Sequence, residues 1–227
     1  HVIMGHLGTT RFDPDRLALE VANQMFGGNG FNSVLMKELR VKRGYTYGAY
    51  SSFSFSQVPG TFSFSYSTRQ DQLLDSIQVA HQALVNFVQQ PIDQKQLEET
   101  KVGMLRAFPN NYSSNANINA QLGSMGFYNQ AADYLNQYPQ LLEKMTAQDV
   151  QNAIRKHLHP ERLTLIVVND KLDKQALQAT LKQNLLPHEP TLPSPSIEQI
   201  PKTIIAPPAK EVIDVPGSFP TDAPASI

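Results

Sequence analysis

The 227-residue chain contains no cysteine. A thiol nucleophile, a Cys-ligated zinc site, an iron–sulfur cluster and a disulfide framework are all excluded. A cysteine-free chain is compatible with an oxidising compartment. No charge excess exists either: 19 Lys+Arg stand against 20 Asp+Glu, a net charge of −1. A nucleic-acid binder or a polybasic membrane anchor normally carries a basic face, so neither partner is expected. The densest apolar run, Leu163–Val168, is far too short to span a bilayer. Catalytic signatures are missing as well. None of the six His sits in His-x-x-Glu-His or His-x-x-His spacing, no Gly-x-Ser-x-Gly elbow is present, and Gly27-Gly28-Asn29-Gly30 is not followed by Gly-Lys-Ser/Thr. No metal site is expected in this chain.

His1 opens the chain, and His1–Gly8 already reads as a strand with no charged segment before it. The expectation is that the chain is a piece, or a processed product, of something longer. Asp13-Pro14 reads as a helix start, because Asp can cap and Pro fits a first turn. Leu17, Val21, Met25 and Ala18, Ala22, Phe26 then recur at helical spacing. The glycine cluster at 27–30 stops that helix. A second helix carries Val34, Leu35, Leu39 and Phe31 as its apolar stripe, and Arg43-Gly44 ends it.

The period then changes to two. Tyr47, Ala49, Ser51, Phe53 and Phe55 form one set, opposed by Gly48, Tyr50, Ser52, Ser54 and Ser56. Val58-Pro59-Gly60 is turn chemistry. Phe62, Phe64 and Tyr66 alternate with Ser63, Ser65 and Ser67 on the return, giving a hairpin with one aromatic and one serine face. That hairpin could offer an edge to an extended peptide. Helical patterns follow: one with Leu73, Ile77, Ala80, Leu84 and Phe87, one with Leu97, Val102 and Met104, then about 115–129 and 132–144. Thr146…Asp149 resembles a capping box opening a helix to His157. His157-Leu158-His159 suits the negative end of that helix better than a metal. Residues 162–168 form a last strand. Ten of the sixteen prolines lie beyond Asp170, so residues 171–227 read as a short helix and then a Pro-rich extended tail, separate from a domain over 1–170. The order β-α-α-β-β, several helices, then β predicts an α+β fold: a mainly antiparallel sheet with helices on one face.

One cluster is chemically pointed. Arg40 lies near a helix end and Tyr47 at the start of the first hairpin strand, joined by Val41-Lys42-Arg43-Gly44-Tyr45-Thr46. A guanidinium fork and a phenol can together grip peptide carbonyls or stabilise an oxyanion. The plain alternative is that Arg40 complements the helix dipole and Tyr47 packs in the sheet.

The helix after Asp13-Pro14-Asp15, then Gly27-Gly28-Asn29-Gly30, Ser33-Val34-Leu35, Leu39-Arg40, Arg43-Gly44-Tyr45-Thr46-Tyr47 and the aromatic/serine hairpin together resemble the C-terminal, non-zinc domain of the pitrilysin, insulysin and mitochondrial-processing-peptidase type of zinc metallopeptidase. The resemblance implies the processing-peptidase fold. It implies a homologous partner domain or subunit bearing His-x-x-Glu-His and the zinc, with no cofactor in this chain. It also implies that Arg40 and Tyr47 are the pair that holds peptide substrate and supports the transition state. A second function fits the same resemblance: an inactive peptide-binding or scaffolding subunit. A bacterial periplasm or cell envelope is the expected compartment.

Overall fold

The structure, a computed structural model, describes residues 1–28, 30–131, 133–170 and 173–184, the last five of these by their backbone alone. The Pro-rich stretch from Pro187 lies outside the described residues, as does Asn29.

Four strands form one antiparallel sheet in the order β2-β3-β1-β4: β1 (Val2–Leu7), β2 (Ala49–Phe53), β3 (Thr61–Tyr66) and β4 (Thr164–Val167). Alternation decides which side each residue takes. On β1, Val2, Met4 and His6 point inward; on β3, Phe62, Phe64 and Tyr66 do so, and all six are buried. The register stacks them: Val2 faces Tyr66, Met4 faces Phe64 and His6 faces Phe62. Full burial of each large apolar side chain contributes about 1.5–3 kcal/mol. Ser63 and Ser65 take the other face with the exposed Tyr50. Helices cover the inward side, so the α+β architecture expected from the sequence is the one observed.

Those helices are α1 (Arg16–Asn23), α2 (Leu73–Gln89), α3 (Gln94–Ala107), α4 (Asn115–Phe127), α5 (Tyr134–Lys144), α6 (Ala147–His157) and α7 (Lys174–Asn184). The stripe of α2 is buried through Leu73, Ile77, Ala80, Leu84 and Phe87. Thr146 and Asp149 form a reciprocal capping box that starts α6. The break after α3 is a 3-10 turn, Phe108–Tyr112. No residue of α4 is buried.

Several sequence expectations change in detail. Helix α1 starts at Arg16, not at Pro14. Asp13 instead folds a local turn: its Oδ1 accepts the Asp15 N–H at 2.9 Å and its carbonyl accepts the Arg16 N–H at 3.0 Å. Phe31 is 60% exposed and Val102 is 43% exposed, so neither joins the core stripe assigned to it. The helix after the glycines is π-helical over Met36–Val41, and α1 likewise runs into a π turn at Gln24–Gly28. The β2 edge is not open to a peptide over its first residues. The Ala49 N–H points to Met36 Sδ at 3.3 Å, and Gly27 packs against the backbone nitrogen of Ser51.

Candidate functional site

The site-bearing segment runs from Met36 to Ala49, and its shape follows from local chemistry. The π turn carries one extra residue per turn, shown by the Lys42 N–H bonding the Lys37 carbonyl at 3.0 Å. Leu35, Met36 and Leu39 anchor it in the core. Gly44 takes φ +65°, a left-handed conformation open to glycine, and reverses the chain. The N–H groups of Gly44 and Tyr45 return to the carbonyls of Arg40 and Leu39 at 2.9 and 2.8 Å, closing the helix end. Thr46 is buried, and its hydroxyl bonds both the carbonyl and the N–H of Gly48, fixing the loop that enters β2.

The structure brings Arg40 and Tyr47 together through the backbone. Arg40 Nη1 donates to the Tyr47 carbonyl at 2.6 Å. The guanidinium also lies 4.4 Å from the centre of the Phe31 ring. That contact gives the exposed Phe31 a role the apolar-stripe reading missed. Tyr47 sits before β2 rather than in it, and its side chain is 93% exposed. Packing in the sheet is thus excluded for Tyr47. Tyr50, also exposed, lies over Gly48, where an added Cβ would come within 2.9 Å of the phenol oxygen.

Charge is divided unevenly here. Burial alone would raise the Glu38 carboxyl, but Lys42 at 2.5 Å and Arg43 at 2.7 Å hold it below the usual carboxylate range. Glu38 is therefore committed to those two cations. No carboxylate pairs with Arg40 among the described residues. Among the described residues its guanidinium meets a carbonyl dipole and an aromatic face. An exposed phenol and a guanidinium without a carboxylate partner among the described residues can each hydrogen-bond a peptide carbonyl or a carboxylate supplied from outside.

Among the described residues, one set has metal-ligand potential: Asp13, Asp15 and His157, whose ligand atoms lie within 4.8 Å of one another. These atoms already serve each other and their neighbours. His157 Nε2 is 3.0 Å from Asp15 Oδ2, Lys156 Nζ is 2.7 Å from the same oxygen, and the Thr9 hydroxyl donates to Asp13 Oδ2 at 2.6 Å. The Lys156 and His157 bonds hold the Asp15 carboxyl below its usual range. The set locks the turn before α1 onto the end of α6. It lacks the two His and one Glu of a His-x-x-Glu-His centre, so it does not fit the zinc that the resemblance places on the partner domain. Sequence reading placed His157 at a helix end, which is correct, but the 142-residue separation from Asp15 hid the pairing. His6 and His159 are likewise internal: the His159 N–H donates to His6 Nε2 at 3.1 Å.

No helix among the described residues is long and apolar enough to cross a membrane. Residues 1–104 match the model of the peptidase M16 inactive domain. The crystal structure of a peptidase M16 inactive domain from Pseudomonas fluorescens superposes with a TM-score of 0.68 at 32% identity, over 75% of this chain and 42% of that one. A Helicobacter pylori protein described as the non-peptidase homolog YmxG is 26% identical over 147 residues, 63% of this chain and 33% of that protein. A Streptomyces coelicolor protein described as an uncharacterized zinc protease is 37% identical over 84 residues, 37% of this chain and 18% of that protein. The chain thus spans a third or less of the length of these two curated relatives.

Proposed function

We propose, from the premise that this chain carries the inactive domain of the peptidase M16 family, that it is the substrate-supporting half of a zinc metallopeptidase. The other half would be a homologous domain or subunit bearing His-x-x-Glu-His. Zinc held there would activate water and polarise the scissile carbonyl. This chain's own contribution is positional and electrostatic. Arg40, tethered by the Tyr47 carbonyl and backed by Phe31, offers its remaining N–H groups to peptide carbonyls. The Tyr47 phenol donates to the carbonyl oxygen as negative charge grows on it. Alone, the chain does not hydrolyse peptides. Placement in a bacterial periplasm or envelope belongs to this reading, and the absence of cysteine is compatible with it.

The observation that carries the reading is the Arg40–Tyr47 tether, with a guanidinium that pairs with no carboxylate among the described residues and an exposed phenol. The test is steady-state kinetics on the assembled enzyme with an internally quenched peptide. Tyr47→Phe lowers kcat by about ten- to a thousandfold, and Arg40→Gln raises KM. Unchanged kinetics for both variants would remove the pair from the mechanism.

A second reading is supported by the relative described as a non-peptidase homolog. In it, the same pair binds peptides or helps scaffold an assembly without hydrolysis. Peptide binding sensitive to Arg40→Gln, with no cleavage beside any His-x-x-Glu-His domain encoded next to this chain, would favour it.

A further inference from the structure

A cleft of about 370 Å³ opens between the start of α1, the 3-10 turn Phe108–Tyr112, α4 and α5. Two arginines line it, Arg11 and Arg16, against one carboxylate, Glu20. Arg16 is committed. Its Nη1 is 2.6 Å from Glu20 Oε1, and its Nη2 donates to the Tyr134 hydroxyl. Arg11 is not. Its guanidinium lies 4.3 Å from the centre of the Tyr128 ring, and its Nη2 makes a long 3.3 Å bond to Ser124 Oγ. Among the described residues no carboxylate lies within ion-pair distance of it. Its Nε is buried and makes no hydrogen bond.

A buried guanidinium N–H without an acceptor is costly, because the group has lost water and gained nothing. The neighbouring groups sharpen the case. The Tyr134 and Ser124 hydroxyls each accept a bond from an arginine, which leaves their own protons to donate elsewhere. Gln121 and Gln130 add amide groups to the lining. The cleft is thus rich in donors, carries a net positive charge and holds an arginine whose planar fork suits two oxygens at once. Helix α4, which supplies Ser124 and Gln121, has no buried residue.

We propose that this cleft binds an oxyanion with at least two acceptor oxygens, held by the Arg11 guanidinium and by the Ser124 and Tyr134 hydroxyls. The site is independent of the Arg40–Tyr47 pair. The anion can come from a peptide's terminal carboxylate or from free phosphate.

The test titrates the full 227-residue chain at constant ionic strength, following the arginine Nε–H resonances by NMR. The probes are inorganic phosphate, acetyl-trialanine with a free carboxylate, and the same peptide as its amide. The Arg11 signal is assigned from Arg11→Gln. A saturable shift of that signal with phosphate or with the free-carboxylate peptide, and none with the amide, is expected. Which of the two anions saturates at lower concentration identifies the source. Read on the Nε–H signal of Arg16, which also lines the cleft, Arg11→Gln weakens binding roughly tenfold or more. Should that variant fail to fold, Ser124→Ala and Tyr134→Phe each weaken binding measurably. Absence of a saturable shift with both anions, equal binding of acid and amide, or unchanged affinity in the variants would overturn the proposal.

Discussion

Gly27 is a position in the site-bearing region that cannot accept even a single methyl group without a shift. A Cβ built on it would stand 2.6 Å from Ser51 Oγ, 2.7 Å from the Ser51 backbone nitrogen and 2.9 Å from Leu35 Cδ1. Ordinary van der Waals contact begins near 3.4 Å, so the backbone contact alone is short by about 0.7 Å. Ser51 Oγ can turn away only by giving up its 2.7 Å bond to Asn23 Oδ1. Backbone cannot rotate out of the way. Gly27→Ala therefore must push the π turn off β2, four residues beyond Tyr47. Overpacking of this kind costs about 1–3 kcal/mol, which lowers Tm by roughly 2–12 °C for a domain of this size. Gly103 is the control: it lies inside α3 with nothing near its missing Cβ. Gly103→Ala should stabilise by about 0.5–1 kcal/mol, the ordinary helical gain over glycine. Urea melts of both variants, fitted with a common slope, measure the two effects. A Gly27→Ala protein as stable as the parent would refute the packing account of the glycine cluster.

Acid should weaken the fold well above the carboxylate range. Burial holds His6 and His81 below the usual imidazole value of 6.5. Their protons then bind the unfolded chain more tightly, so stability present above about pH 6.5 is lost as pH falls through the folded values. Urea midpoints at pH 7.5 and 5.5 should differ in that direction, and His81→Gln, which can still donate to the Pro160 carbonyl, should reduce the difference. Lys101→Met should destabilise by about 1–3 kcal/mol. It removes the buried ammonium that serves the carbonyls of Glu143 and Met145 at 2.8 and 3.1 Å and ties α3 to the end of α5; a thermal melt matching the parent would contradict this.

Period-two and helical patterns made most of the fold legible. Phe62, Phe64 and Tyr66 on one side of β3, the stripe of α2 and the Thr146–Asp149 box are each set by a handful of neighbouring residues, and local chemistry decided them. What stayed hidden depended on geometry that a 3.6-residue period does not encode. The π turn at Met36–Val41 rotates Arg40 relative to a regular helix and leaves Phe31 outside the core but beneath the guanidinium. Parity put Tyr47 in line with Ala49 and Ser51, yet the Thr46–Gly48 hydrogen bonds end the strand before it and release its side chain to solvent. Contacts across long sequence distance were invisible for a different reason. The pairing of His157 with Asp15 and of Arg11 with Ser124 arises only when α6 and α4 return to the start of α1.

The most direct measurement is complementation. The rate of cleavage of an internally quenched peptide would be compared for this chain alone, a His-x-x-Glu-His domain encoded upstream of it or in a neighbouring reading frame alone, and the two mixed. The account predicts no cleavage by this chain and a rate for the mixture at least about tenfold above the zinc domain alone, lost when zinc is chelated. A mixture no faster than the zinc domain by itself would contradict the claim that this chain is the working other half of the peptidase.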